Sequence, residues 1–184
     1  MIFLIVFLCA LLVAAGLGLM SALSDIRGMI IPNMYPAGVL LAFIFAYMAC
    51  ELGDNSIPFQ KLSSHMAAGV LVFIVTFCMT MAKLLGGGDS KLMTAYAFWM
   101  GARYVLAYLF VMACVGLVLS IVAIVLRRAK PFKTVKEGSW IARLQGGQAV
   151  VPYGIPIVAG ALFMFIDKRF ISLDALTAFL NQAG

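Results

Sequence analysis

Charged side chains are scarce in this chain, and their scarcity excludes a water-soluble globular protein. Of the 184 residues, 11% are charged and 65% are hydrophobic, and the mean hydropathy is +1.11. A soluble domain has roughly a quarter charged residues and about half apolar ones. We therefore expect an all-α polytopic membrane protein that forms a single domain over residues 1–184.

Metal-binding and redox motifs are also missing. The single histidine, His65, has no histidine or cysteine partner at ligand spacing, and no CxxC pair is present. Zinc sites and thiol redox pairs need such spacing. We expect no metal and no cofactor, and we interpret the cysteines as small packing residues of the apolar runs. They are Cys9, Cys50, Cys78 and Cys114.

Long apolar runs predict about six transmembrane helices, because the hydrocarbon core is about 30 Å thick and needs roughly 20 residues to cross. No basic residue precedes the first run, which is also longer than a signal peptide's, so we interpret it as a retained helix. The fourth span is too short to cross unaided; it is tilted or re-entrant, or it shares a boundary with the fifth near Gly101. The predicted spans are 1–23, 34–51, 64–85, 91–101, 103–126 and 150–166.

Basic residues are distributed unevenly between the two sides of this six-span arrangement. Nine lie on one side and four on the other, so the positive-inside rule assigns the first side to the cytoplasm and both termini to the outside. The nine are Arg27, Lys83, Lys91, Arg127, Arg128, Lys130, Lys133, Lys136 and Arg143. The four are Lys61, Arg103, Lys168 and Arg169.

The basic loop over residues 127–148 lacks the aromatic stacking pattern of single-strand nucleic-acid binders. We interpret its charge as a topology signal and as attraction to anionic lipid headgroups, with contact to a charged substrate segment as the alternative and no nucleic-acid partner.

Two aspartates, Asp25 and Asp89, lie at the predicted cytoplasmic ends of apolar spans. A carboxylate at a membrane boundary is costly to keep there, so each is a candidate functional residue. The other aspartates, Asp54, Asp167 and Asp174, fall on the opposite face.

Three short segments accompany these acids. Residues 25–33 read DIRGMIIPN, residues 86–91 read GGGDSK, and residues 151–156 read VPYGIP. Proline at the start of a helix removes no hydrogen bond, and glycines permit close approach of another chain. The prolines and glycine of the third segment are expected to loosen a helix entry that lines the same site.

Simpler interpretations of these segments stay open. Asp25 could pair with Arg27, Asp89 could be the N-cap of a helix after a plain turn, and residues 152–156 could be an ordinary helix entry. Lys91 either favours the ionised form of Asp89 or anchors the helix on the positive side.

Taken in order, the segments resemble those of type IV prepilin peptidases, the leader peptidases of the GxGD aspartic protease class. The matching residues are Asp25 followed by Ile31-Pro32-Asn33, then Gly86 to Asp89 with Lys91, and Pro152-Tyr153-Gly154. About ten residues separate the first two spans, with no CxxC, so the chain is similar to the short form of tight-adherence (Flp) pilus systems, and methyl transfer is not implied.

The resemblance implies a bacterial inner-membrane enzyme whose site faces the cytoplasm. Asp25 and Asp89 would form a proton-sharing catalytic pair, Gly86 and Gly88 would leave room for the substrate backbone, and the segment from Pro152 to Gly154 could pair with an extended substrate. The substrate would be a prepilin or pseudopilin with a basic leader, a glycine before the cut and an apolar helix in the bilayer. Pro32, Asn33 and Lys91 complete the supporting set.

Two other function classes remain. Asp25 and Asp89 could be the proton or cation sites of a small membrane carrier. The chain could also be a non-catalytic assembly subunit of a secretion or pilus machine.

Overall fold

The computed structural model describes residues 2–53, 59–132, 138–148 and 150–167. Within these ranges the chain forms six helices and no strand, which confirms the all-α prediction. Asp54, Asp174, Lys133, Lys136, Lys168, Arg169 and the predicted external C-terminus lie outside the described residues. The helices are α1 (Ile2–Gly28), α2 (Met34–Leu52), α3 (Leu62–Met81), α4 (Gly87–Ala129), α5 (Trp140–Gln145) and α6 (Gly154–Asp167).

Four of the helices, α1 to α4, are long and apolar enough to cross a membrane, and α6 is a shorter apolar helix. The membrane class is therefore confirmed. The first helix extends five residues beyond its predicted end at residue 23, so Asp25 lies in its last turn. The last helix begins at Gly154 instead of residue 150.

Helix α4 contains two crossings separated by a break at Gly101. Its 43 residues would extend about 65 Å at 1.5 Å per residue, roughly twice the hydrocarbon thickness. Gly101 has φ 66° and ψ 170°, a conformation that glycine adopts without strain. The predicted boundary near Gly101 is confirmed, and we call residues 87–100 the first segment of α4 and residues 102–129 the second.

The break exposes backbone groups that form hydrogen bonds with two side chains, Gln60 just before α3 and Ser64 in its first turn. Gln60 Nε2 donates to the Met100 carbonyl at 3.2 Å, and Gln60 Oε1 accepts from the Arg103 N–H at 3.3 Å. The Ala102 N–H donates to Ser64 Oγ at 3.0 Å. Because unpaired backbone groups are costly at a membrane boundary, these contacts stabilise the reversal of the chain.

Helix α6 packs between the two segments of α4 and shows that they are antiparallel. Phe165, near the end of α6, lies 5.2 Å from the Trp99 ring centroid, close to the break. A Cβ on Gly160 would lie 3.2 Å from Met112, and one on Gly116 would lie 3.7 Å from Pro156. The second segment therefore runs back towards the start of α6.

Two buried polar side chains connect the core helices. The Trp99 indole N–H donates to the Val39 carbonyl at 3.0 Å, and the Tyr96 hydroxyl donates to the Ala14 carbonyl at 2.8 Å. A buried indole or phenol needs such a partner, particularly in hydrocarbon. These bonds place α4 against α1 and α2 in the centre of the bundle.

The bundle has two distinct ends, and charge differs between them. We call the end with Asp25, Asp89 and Gly154 the carboxylate end, and the end with Gly101 the opposite end. The described basic residues at the carboxylate end are Arg27, Lys83, Lys91, Arg127, Arg128, Lys130 and Arg143; those at the opposite end are Lys61 and Arg103. The short helix α5 packs at the carboxylate end through Trp140 and Leu144.

Candidate active site

Asp25 is a buried carboxylate that the start of α6 holds in place. It is 5% exposed, and its Oδ2 accepts a hydrogen bond from the Gly154 N–H at 2.8 Å. The two residues are 129 positions apart in sequence. The hydrogen bond from α6 therefore positions Asp25, and the alternative pairing with Arg27 does not.

The Gly154 N–H is free to make this bond because of its position in α6. The first N–H groups of a helix have no intrahelical acceptor, and they form its positive end. Pro152 precedes the helix, and Pro156 lies in the first turn, so neither proline removes an intrahelical bond. The predicted loosening was wrong: the Ile155 N–H donates to the Pro152 carbonyl at 3.2 Å, so the entry is ordered.

Gly154 also needs to be small. A Cβ at this position would lie 3.1 Å from both Cβ and Oδ2 of Asp25 and 3.3 Å from Ala22 Cα. These separations are tighter than ordinary van der Waals contact. The absence of a side chain lets the backbone of α6 reach the carboxylate directly.

Asp89 is the third residue of α4, in the first turn. Gly86 is the N-cap, so the alternative in which Asp89 caps the helix was wrong. The Gly86 backbone hydrogen-bonds to the Asp89 carboxylate, and the Ser90 N–H donates to the Gly86 carbonyl at 3.0 Å. This arrangement is the acidic half of a capping box and directs the carboxylate back over the glycine turn.

The two aspartates, 64 positions apart in sequence, meet at the carboxylate end. Asp89 is partly buried, and the charge of Asp25 acts on it electrostatically. Two neighbouring carboxylates with little access to water do not readily ionise together, which is the condition under which a carboxylate pair shares one proton. Such a pair can take a proton from a water molecule and donate one to a carbonyl oxygen.

The glycines before Asp89 make room for the protein's own atoms. A Cβ on Gly88 would lie 2.9 Å from Ile31 Cβ, and one on Gly86 would lie 2.6 Å from Asp89 Oδ2. The space that was predicted for a substrate backbone is therefore occupied by Ile31 and by the catalytic candidate itself. Ser24 Oγ donates to the Ile30 carbonyl at 2.7 Å and helps to hold this loop in place.

Lys91 contacts the neighbouring helix. Its Nζ donates to Asn33 Oδ1 at 2.8 Å, and Asn33 is the N-cap residue of α2. The structure thus adds a third role to the two considered for Lys91, a polar link between α2 and α4. Pro32 accepts from the Tyr35 N–H at 3.1 Å in the turn that begins α2.

Tyr153 has a different environment from its two neighbours. Its side chain is 41% exposed, whereas Pro152 and Gly154 are buried. It lies directly before the N–H group that binds Asp25, so its ring is available to an incoming molecule at the edge of the site.

His65 and Asp167 lie away from the carboxylate end. His65 Nδ1 is 2.6 Å from the Phe98 carbonyl oxygen, near the break in α4, and Asp167 ends α6. Within the part of the chain that the structure describes, no three His, Cys, Asp or Glu side chains form a group that could hold a metal ion.

Ser90 and Thr76 form a buried polar link that sequence reasoning missed. They are 4% and 2% exposed, and Ser90 Oγ donates to Thr76 Oγ1 at 2.8 Å. Thr76 Oγ1 in turn donates to the Val72 carbonyl at 2.8 Å. The link joins α3 to the residue directly after Asp89. The sequence does show that hydroxyl residues interrupt apolar runs in α3 and α4. It does not show that two of them pair, because this depends on how the two helices face each other.

We expect Thr76→Val to lower the turnover of any reaction at this site about tenfold, because Ser90 would lose its acceptor and the turn carrying Asp89 would shift. A buried hydrogen bond is worth about 1 kcal/mol, and an unpaired group costs about 1–3 kcal/mol. Thr76→Ser should restore turnover, and KM should change little because neither hydroxyl contacts the substrate. Steady-state kinetics on purified protein tests this.

Ser120→Ala is the matched control, since Ser120 Oγ bonds the Gly116 carbonyl at 2.7 Å in the second segment of α4. Unchanged turnover in both Thr76→Val and Ser90→Ala would contradict the positioning role.

Comparison with known proteins identifies a family. Residues 5–121 match the type IV leader peptidase family, a range that includes Asp25 and Asp89 and covers more than half of the chain. Searches of curated proteins and of solved structures found no significant match. Because the match covers more than half of the chain and includes both aspartates of the site, this chain belongs to the type IV leader peptidase family.

Proposed function

We propose that this protein is an aspartic endopeptidase that removes the leader of a type IV prepilin or pseudopilin, with Asp25 and Asp89 as the catalytic pair. The observation that carries the proposal is the position of the buried Asp25 carboxylate. It accepts a hydrogen bond from the Gly154 N–H, and its charge acts on Asp89. Two acids placed so that their charges interact at a membrane boundary are costly to keep there, and the hydrogen bonds that they make with Gly86 and Gly154 do not require that they be neighbours. Peptide hydrolysis accounts for both acids.

The proposed chemistry follows from proton sharing. The ionised carboxylate takes a proton from a water molecule as the water oxygen bonds to the scissile carbonyl carbon, and the other carboxyl gives its proton to the carbonyl oxygen. The tetrahedral intermediate then collapses: one of its hydroxyl groups gives a proton to the carboxylate that was left ionised, the C–N bond breaks, and the carboxyl that took the proton from water donates it to the leaving nitrogen, so the pair again holds one proton. The proton belongs to the pair, so neither aspartate is assigned one role. The Gly154 N–H orients Asp25 through its 2.8 Å hydrogen bond to Oδ2.

The carboxylate end is proposed to face the cytoplasm. Seven of the nine described basic residues lie at this end: Arg27, Lys83, Lys91, Arg127, Arg128, Lys130 and Arg143. In a bacterial inner membrane the positive-inside rule then places the N-terminus outside. A prepilin's basic leader would project from the membrane on the same side as the carboxylates, and its apolar helix would remain in the bilayer.

We expect cleavage to need no metal or added cofactor. Purified protein in detergent should release the leader of a prepilin at the same rate with and without excess EDTA, because two carboxylates activate water without a Lewis acid. The rate is measured by following the shortened product on a gel. Loss of cleavage on chelation, restored by a divalent cation, would contradict the two-aspartate mechanism.

A carrier predicts a different result from the same preparation. Reconstituted in liposomes, it would conduct protons or cations, lose that flux in Asp89→Asn and cleave no prepilin. An assembly subunit would do neither. Cleavage by the purified wild-type protein excludes both as the sole function, and its absence with every prepilin tried would overturn the proposal.

A further inference from the structure

A groove lies between α2, α3 and the first segment of α4, and it is open at the surface of the bundle. Its volume is about 570 Å³. The walls are mostly apolar, with Pro36 and Leu40 from α2 and Val70 and Phe73 from α3. Polar side chains concentrate at one end, where Asn33 lines it together with Lys91.

This polar end adjoins the candidate catalytic residues. Lys91 is two residues beyond Asp89 on the same helix, and its Nζ bonds Asn33 at 2.8 Å. Ile31, two residues before Asn33, packs against Gly88. From Lys91 the groove follows the first segment of α4 to Phe98, a distance of about 10 Å into the membrane. It therefore begins beside the carboxylates and continues into the apolar layer.

The groove is built for a close apolar neighbour. The small residues Ala37 and Ala95 in its walls allow a helix to approach closely, as small residues do at transmembrane helix interfaces. The space beside Gly69 is different, because the Phe98 ring occupies it. Thr94, also in the wall, has a buried hydroxyl without a hydrogen-bond partner. A peptide carbonyl could accept from that hydroxyl after a rotation of the side chain, and a lipid acyl chain could not.

A second cleft, between α1 and α2, differs from this groove in its polarity and in its distance from the carboxylates. It is lined by apolar residues from 5 to 13 and from 38 to 45, and its α1 wall ends twelve residues before Asp25. It has no polar end and does not reach the carboxylates. Proximity to the candidate site therefore separates the two clefts.

We infer that the groove between α2, α3 and the first segment of α4 holds the apolar helix of the substrate during cleavage, with its leader-proximal end at Lys91 and Asn33. The inference rests on the proposed function. A bond next to a membrane helix can reach the carboxylates only if that helix stays in the hydrocarbon beside them, because withdrawing it would expose its apolar surface to water. The groove provides such a position.

The test compares two substrates. One is a full-length prepilin in detergent, and the other is a soluble peptide that carries the leader and cleavage site without the apolar helix. Ala37 is exposed in the groove wall, so Ala37→Phe fills the groove without disturbing the core. We expect kcat/KM for the full-length prepilin to fall at least tenfold, mainly through KM, while the peptide is cleaved within twofold of the wild-type rate.

The control is Ala113→Phe, since Ala113 is exposed on the second segment of α4, away from the groove. It should cleave both substrates as the wild type does. A photo-crosslinking residue at position 70 should capture the prepilin helix, and one at position 113 should not.

The outcomes separate this inference from the proposed function. Equal effects of Ala37→Phe on both substrates, unchanged cleavage of the full-length prepilin, or failure of position 70 to crosslink would each overturn the groove assignment. Wild-type protein that cleaves neither substrate would overturn the proposed function, and the groove assignment with it.

Discussion

Asp25→Asn and Asp89→Asn are each expected to lower the rate of leader removal roughly 10⁴-fold or more, because each removes half of a proton-sharing pair. Asparagine keeps the shape of the side chain, but it can neither accept a proton from water nor donate one from a carboxyl group. The measurement is the accumulation of cleaved prepilin on co-expression, with the membrane level of each variant determined on the same samples. The double variant should lose no more than either single variant, since the two residues act as one unit.

Asp167→Asn is the matched control. Asp167 is an exposed aspartate at the other end of α6 from Gly154, so its replacement should leave cleavage at the wild-type rate. Substantial cleavage by either Asp25→Asn or Asp89→Asn at normal protein levels would be incompatible with a catalytic pair.

Gly154→Val is expected to reduce turnover at least about 100-fold. A Cβ at Gly154 already approaches Asp25 Cβ and Oδ2 to 3.1 Å, so the branched side chain must displace either the carboxylate or the first turn of α6. A displacement of about 1 Å in a catalytic group can cost about 10²-fold in rate. Gly154→Ala should have a smaller effect, about tenfold, because a shift of a few tenths of an ångström accommodates a single methyl group.

Kinetics of the purified variants test this series, with Gly16→Ala as the control. Gly16 is exposed on α1, and a Cβ there would meet nothing within 4 Å. The order glycine, alanine, valine should appear in kcat. If Gly154→Val keeps wild-type turnover, the Gly154 N–H does not position Asp25 for the reaction.

Several features of this protein could be predicted from the sequence because they are local properties of the chain. Apolar runs long enough to cross the bilayer identify the membrane helices without knowledge of their neighbours. A boundary near Gly101 was one of three interpretations of a span too short to cross alone, and the structure has its break there. Asp25 and Asp89 were recognisable as candidates because acids are rare here, with only seven in 184 residues, and costly beside hydrocarbon.

What the tertiary structure decided is how distant segments meet. The Gly154 N–H bonds Asp25 across 129 positions, and Lys91 bonds Asn33 across 58 positions. Such contacts depend on the rotation of each helix about its axis. In a bilayer the lipid-facing and the buried sides are both apolar, so hydropathy does not reveal that rotation. The sequence could not show that Ile31 fills the space at Gly88, or that Ser90 finds Thr76.

Residues 151–156 show most clearly what the sequence alone does not determine. Two prolines and a glycine within residues 151–156 predicted a loosened helix entry, because proline removes a backbone donor. The structure places Pro152 before α6 and Pro156 in its first turn, where no intrahelical bond is lost. The prolines and the glycine indicate that a helix begins within residues 151–156. The direction of the Gly154 N–H towards Asp25 depends on how the helices pack, because the two residues belong to helices far apart in the sequence.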